Sequence, residues 1–326
     1  MRQATYRHAK KSTPTMGKFK KLLDSSIKSK DTEEWLDMHF TRPVGLVMAL
    51  AGKRLGIHPT AITAVSIVLG VAAAWMFAHT DTWHNLAGIA LLMTANFCDS
   101  ADGQLARLAD KKTLVGRVLD GFAGDIWFFC IYFALCCRMT WLTMPGTNAY
   151  WGIWIWVLAF IAGVLCHSPQ ASLSDYYRQI HLLFLKGKAG SELDTYANQR
   201  ATFDNLPKSS PLIAKMFYYF YSNYCKSQER RTPAFQRLMA AIKDKYGDVS
   251  AMPDELRREF LDGSRPLMKY TNILTFNTRA ICIYVTCLAG CPWVYILFEI
   301  IVMTILYIYM HKRHESLCEH ITRKIA

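Results

Sequence analysis

Four aspartates sit within or beside runs of apolar residues: Asp99 and Asp102 in CDSADGQLARLAD, Asp120 and Asp125 in GRVLDGFAGD. An ionisable group at membrane depth is costly and usually marks an ion or substrate site. Asp99 and Asp102 stand three apart, and Gly103, Ala106 and Arg107 continue their helical face at intervals of three and four. Gly116 and Asp120 are four apart on the next block, beyond a short turn holding Lys111 and Lys112. That turn makes the two helices antiparallel neighbours, so the acids can converge at one depth. Unpaired carboxylates repel one another, and a hard divalent cation such as Mg²⁺ or Mn²⁺ would relieve the repulsion through oxygen ligands. The competing account is an interfacial salt-bridge network with Arg107, Arg117 and the lysines. Gly103 and Ala106 open the helix face, either to a bulky group or to close helix packing. Arg107, one turn beyond Gly103, can meet a phosphate or simply snorkel.

Long helices must position these side chains. The chain has 326 residues, 52% of them hydrophobic and 19% charged, and the apolar ones gather in blocks. About 20 residues cross a bilayer core as a helix. Blocks near 59–79, 84–107, 113–137, 150–168, 273–290 and 292–311 predict an all-α polytopic membrane protein with six transmembrane helices. The net charge is +13, concentrated in the N-terminal run MRQATYRHAKK and KFKK, the long segment after the fourth block, and the C-terminal HKRH. The connections after the first, third and fifth blocks carry no Lys or Arg except Arg138. The positive-inside rule then predicts cytoplasmic N- and C-termini, with the acids on the cytoplasmic side of a cell (inner) membrane. No compact soluble fold carries the positive charge, so nucleic acid is not expected as a partner.

The predicted organisation is a cytoplasmic N-terminal segment (1–58), transmembrane helices one to four with the acidic motif (59–170), a cytoplasmic helical insertion (171–272), and helices five and six with a tail (273–326). Within the first segment, Asp31 and Glu34 read as a capping box. Pro43 and Gly56 bound a short helix suited to the membrane interface. In the insertion, LIAKMFYYFYSNYC, AFQRLMAAIKDKYG and DELRREFLDG have helical spacing, and the Tyr and Phe residues can lean on the membrane surface. Arg178 and His181 follow the fourth block, and Asn277 and Arg279 open the fifth. They are either charged helix ends or, facing the acids, groups for a phosphorylated or polyhydroxylated ligand. The ten cysteines show no CxxC or zinc-like spacing and read as buried free thiols. No short apolar core near the start suggests a cleavable signal peptide.

DSADGQLAR, eight residues, GRVLD and a final Asp together resemble the signature of the CDP-alcohol phosphatidyltransferases, D-x-x-D-G-x-x-A-R, about eight residues, G-x-x-x-D-x-x-x-D. A P-T-x-x-T entry to the first span, ending at Thr63, extends the likeness. The resemblance implies an enzyme that moves the phospho-lipid part of a CDP-linked lipid onto a small alcohol and releases CMP. It implies two divalent ions on Asp99, Asp102 and Asp120, with Asp125 as a further ligand and general base. Gly103, Ala106, Arg107 and Thr63 would hold the cytidine diphosphate, and Arg178 and Arg279 the acceptor. The 171–279 region is similar to bacterial members, which makes inositol phosphate the expected acceptor, with glycerol phosphate, inositol or another alcohol as alternatives. Membrane lipids and a second copy of the chain are the expected partners.

One interval departs from the pattern. Position 124, where the fourth acid belongs, is Gly, and Asp125 comes one residue later. One extra residue turns a helical side chain by about 100°. A π-bulge between Asp120 and Asp125, eased by Gly121 and Gly124, would restore the register. Two other classes compete: a cation transporter, disfavoured because no acidic relay continues along the outer helix halves, and a non-catalytic scaffold.

Overall fold

The computed structural model describes residues 16–26, 29, 31–109 and 114–326. The basic run at 1–11, Lys111, Lys112 and the Arg117 side chain lie outside that description. No β-strand forms among the described residues. The helices are α1 (Met16–Ser26), α2 (Arg42–Leu55), α3 (Pro59–Phe77), α4 (Thr82–Ala109), α5 (Leu114–Met139), α6 (Gly152–Phe160) and α7 (Ser168–Lys186). They continue as α8 (Tyr196–Asp204), α9 (Leu212–Arg231), α10 (Pro233–Tyr246), α11 (Asp254–Ile273), α12 (Phe276–Leu288), α13 (Trp293–Phe298) and α14 (Thr304–Ile325). Single π-helical turns at Asp37–Thr41, Ile161–His167 and Glu299–Met303 run directly into α2, α7 and α14.

Four helical stretches among the described residues are long and apolar enough to cross a membrane: Pro59–Phe77, Leu119–Met139, Gly152–Lys186 and Trp293–Ile325. Two of the six predicted spans fall outside that set for different reasons. Helix α4 has 28 residues, ample length, but Asp99, Asp102 and Arg107 dilute its C-terminal half. Helix α12 has only 13 residues, and most of its apolar neighbourhood comes from the helices around it. The architecture is that of an all-α membrane protein.

Two cores form. The larger joins α3, α4, α5, α6, α12 and α13 around Phe77, Trp127, Ile131, Leu135 and Tyr295. Close approach of α3 to α5 depends on Gly70, where a Cβ would lie 2.0 Å from the Trp127 ring. At the end of the bundle away from the acids, Arg138 is buried and gathers three helices. It donates to Phe77 O (3.3 Å), Asn85 Oδ1 (2.8 Å) and Cys287 O (3.2 Å), and a cation suits the C-terminal carbonyls of α3 and α12.

The second core joins α7, α10, α11 and the far half of α14 around Tyr177, Phe235, Phe260, Leu238 and Ile321. The expected insertion and the C-terminal tail therefore pack as one body, and α7 runs from the membrane bundle into it. A cluster of His314, Glu315 and Cys318 lies inside this core. Glu315 Oε2 accepts from Ala234 N (2.8 Å) at the start of α10, Cys318 Sγ lies 3.6 Å from His314 Nδ1, and the His314 ring stacks on Tyr177 at 3.9 Å, while His314 Nε2 and Glu315 Oε1 are buried without a hydrogen-bond partner.

Helix α2 lies against the C-terminal part of α4, and Gly56 (φ 70°) closes it as a left-handed C-cap, as expected. The capping box is not formed. Asp31 and Glu34 point instead across the chain, to α7, α11 and α12.

Candidate active site

Helices α4 and α5 bring Asp99, Asp102 and Asp120 together, with one carboxylate oxygen from each within 4.8 Å of the others. Asp102 is 3% exposed, Asp99 is half-buried and Asp120 is exposed, so the group opens to one side. Asp102 Oδ2 is buried and has no hydrogen-bond partner. A buried carboxylate oxygen without a partner is expensive, and a cation is the natural complement where two more carboxylates converge. The donor set is all oxygen, which fits a hard divalent ion such as Mg²⁺ or Mn²⁺.

Around the acids the α3 entry supplies Thr63, which is buried beside the Asp102 carboxylate and donates to Pro59 O at 3.3 Å. On α4, Gly103 leaves a shelf. A Cβ there would meet only the Arg107 guanidinium, at 3.6 and 3.7 Å. Arg107 thus folds back towards the acids, its Nε buried without a partner, and Ala106 completes the shelf as a half-buried small residue. On the other side stands α2. Gly45 approaches Ser100 so closely that a Cβ would lie 2.7 Å from Oγ and 3.2 Å from Ala101 N. Gln104 Nε2 ties the two helices by donating to Arg42 O (3.0 Å) and Ser100 Oγ (3.2 Å). Arg42, paired with Glu33 at 3.0 Å, bears electrostatically on Asp99, as does Asp37.

Asp125 is not brought to the group. Helix α5 keeps regular α-helical geometry from Leu114 to Met139, and the expected π-bulge is absent. On such a helix five residues place Asp125 about 140° around and about 7.5 Å along from Asp120. Its carboxylate is exposed and bears instead on Tyr224 of α9. The glycines at 121 and 124 lower the cost of a distortion, yet nothing packs against them to demand one: a Cβ at either would meet open space.

Arg279 is also elsewhere. It is 1% exposed and its guanidinium is consumed by Glu299, with Nε at 3.1 and 3.2 Å from the two oxygens and Nη2 at 3.0 Å from Oε1. Gln170 Oε1 (2.7 Å) and the Leu274 and Thr275 carbonyls take the remaining protons. The π-turns at Ile161–His167 and Glu299–Met303 face each other here and turn His167 and Glu299 inward, 3.9 Å apart. This is an internal ion pair of the bundle, so the expected role at an acceptor is not supported for Arg279.

Arg178 is different. It is half-buried, donates Nη2 to Asn272 Oδ1 at 3.0 Å, and leaves Nε without a partner. Its charge bears on Glu34, whose carboxyl burial pushes above the usual range against the pull of an Asn277 hydrogen bond. Asn277 Nδ2 donates to Glu34 Oε2 (2.7 Å) and Asp37 Oδ1 (3.0 Å). The segment from Asp31 to Thr41 is therefore a strap between the acid group and the second core. Its far end is fixed by Asp31, which meets His181 Nε2 at 3.3 Å and Arg265 Nε at 3.2 Å. Burial opposes ionisation of Asp31, but the Arg265 and His181 hydrogen bonds outweigh it and hold the carboxyl below its usual range. Sequence reasoning missed the strap because its partners are more than a hundred residues away. The only signal was the density of acids in DTEEWLD.

Residues 56–172 match the family model of the CDP-alcohol phosphatidyltransferases. The chain carries a CDP-alcohol phosphatidyltransferase domain. The matched segment contains Thr63, the three clustered acids and the Gly103–Arg107 shelf, and the family consists of phosphotransferases that transfer a phosphatidyl group. Among curated proteins none matches the chain.

Proposed function

We propose that this phosphatidyltransferase uses Asp99, Asp102 and Asp120 to hold two Mg²⁺ or Mn²⁺ ions. It would transfer the phosphatidyl group of CDP-diacylglycerol to the hydroxyl of inositol phosphate, releasing CMP. The observation that carries the reading is the partnerless, buried Asp102 Oδ2 among three converging carboxylates. The bound ions would supply charge neutralisation for the pyrophosphate.

The chain's own residues account for the rest. Arg107, folded over the Gly103 shelf, offers donors to a phosphate of the CDP group, and the small side chains at 103 and 106 let it approach the helix. The acceptor hydroxyl attacks the lipid-bearing phosphorus, the bond to the CMP oxygen breaks, and the hydroxyl proton passes to a carboxylate. Asp37 is the favoured proton acceptor, since Asn277 holds it at 3.0 Å and its charge bears on Asp99. Arg178 is the favoured anchor for the acceptor's phosphate, because its Nε is unspent. Membrane embedding lets the donor keep its tails in lipid while its head reaches the acids.

The test is CMP release by purified protein with CDP-diacylglycerol, Mg²⁺ or Mn²⁺ and a panel of acceptors: inositol phosphate, glycerol phosphate, inositol and serine. Asp99→Asn, Asp102→Asn and Asp120→Asn are each expected to lose most turnover while remaining folded in detergent. Preference for an unphosphorylated alcohol would remove the acceptor assignment but not the transfer. No CMP release with any acceptor would favour a scaffold.

A further inference from the structure

The stretch that the sequence places in a polar cytoplasmic insertion contains a helix whose exposed face is apolar. On α9, Leu212, Ile213, Met216, Tyr219, Phe220 and Tyr224 are between 38% and 73% exposed. At about 100° per residue they fall within one arc of roughly 140°, in which the exposed Asn223 is the polar member. The opposite side, with Phe217, Ser222, Cys225 and Gln228, is buried against the neighbouring helices. Monomeric soluble surfaces seldom leave so large an apolar patch uncovered.

The position of α9 identifies what covers it. Gln228 Nε2 donates to Ser172 O at 3.0 Å. Counted from Gly152, where the membrane-crossing stretch begins, about 20 residues span the bilayer core, so Ser172 stands at its inner border. A second marker is Asp125, six residues into the Leu119–Met139 stretch and so about 9 Å along the helix from its start, whose charge reaches Tyr224. Helix α5, which Asp125 brings beside α9, also leaves Phe122, Phe129 and Phe133 exposed. From Pro207 to Gln228 the chain carries no acidic residue, while Lys208, Lys215 and Lys226 lie on it, and Glu229, Arg230 and Arg231 follow. Basic residues beside an apolar helix face are the composition of an element that lies in the headgroup region of an anionic bilayer.

We propose that α9 lies in the cytoplasmic headgroup–acyl boundary, seated on anionic phospholipid, as a monotopic element of the chain. It flanks α5 beside Asp125. The proposal stands on the exposed face and its depth and does not depend on the transfer chemistry.

The experiment places a photo-crosslinking benzoylphenylalanine at Leu212, Met216 or Phe220, all exposed, in the full-length chain reconstituted into phosphatidylcholine–phosphatidylglycerol vesicles. A fourth variant carries it at Arg258, exposed on α11 in the second core, as the control. After irradiation, mass spectrometry is expected to find phospholipid adducts at all three α9 positions, at least fivefold above the Arg258 variant. The yield should rise with the phosphatidylglycerol fraction. A crosslinked dimer in place of lipid adducts would assign the face to a second copy and overturn the proposal. Adduct yields no higher than at Arg258 would place α9 in water and overturn it too.

Discussion

Arg279 and Glu299 allow the internal and the acceptor-facing roles of a basic residue to be separated quantitatively. Both side chains are essentially inaccessible, at 1% and 0%. The guanidinium spends its donors on Glu299, Gln170 and two carbonyls. Removing one member leaves the other's charge buried and uncompensated, a loss of about 3–5 kcal/mol. At about 1.4 kcal/mol per decade, that is roughly two to three and a half decades in the folded-to-unfolded ratio. Arg279→Ala and Glu299→Gln are therefore both expected to destabilise strongly. Arg279→Met with Glu299→Leu, which removes both charges and keeps the volume, is expected to be near neutral. The assay is thermal unfolding of the purified chain in detergent at several scan rates, because irreversible unfolding makes a single scan rate-dependent. It is paired with KM for acceptor and for CDP-lipid at a temperature where each variant is folded. Arg178→Ala is expected to show the opposite pattern, near-native stability with a raised acceptor KM. An Arg279→Ala protein as stable as the parent, with a selectively raised acceptor KM, would refute the internal ion pair.

Asp125→Asn is expected to reduce CMP release far less than Asp120→Asn, since the regular α5 helix turns Asp125 away from the acid group; equal losses in kcat would show that the working enzyme recruits it. Gly45→Ala is expected to cost about 1–3 kcal/mol through overpacking, because the new Cβ would meet Ser100 Oγ at 2.7 Å and Cβ at 2.9 Å. Adding Ser100→Gly removes both contacts and should recover most of the loss in melting temperature and turnover; no recovery would mean that α2 is not seated on α4 through this contact.

The acid group was legible because it is local. Asp99 and Asp102 share a helix face by spacing alone, and the short connection to α5 fixes where Asp120 arrives. The helices themselves followed from apolar runs, including α9, α10 and α11 inside a stretch rich in charge. The same local logic failed for Asp125. The bulge was expected because a carboxylate facing lipid is costly, but Asp125 sits near the inner end of the Leu119–Met139 stretch and is exposed beside Tyr224. Nothing packs against Gly121 or Gly124 to force a distortion, and α5 stays regular.

The π-turns that do form show what such a distortion requires. At Ile161–His167 and Glu299–Met303 the extra residue rotates His167 and Glu299 inward, where His167 Nδ1 lies 3.9 Å from Glu299 Oε1 and Arg279 pairs with Glu299. The gain is a buried ion pair with its hydrogen bonds met, and that gain depends on α6, α7, α12 and α13 meeting at one depth. Neither IAGVLCH nor EIIVM advertises the bulge, because the partner that repays it is over a hundred residues away in one case and twenty in the other. The strap makes the same point at the surface. Asp31 and Glu34 have the spacing of a cap, but Arg265, His181 and Asn277 offer them charge-assisted or better-buried hydrogen bonds than helix-end amides would. Where a local contact and a long-range one compete for a single carboxylate, spacing alone identifies the candidate, and tertiary packing decides which contact forms.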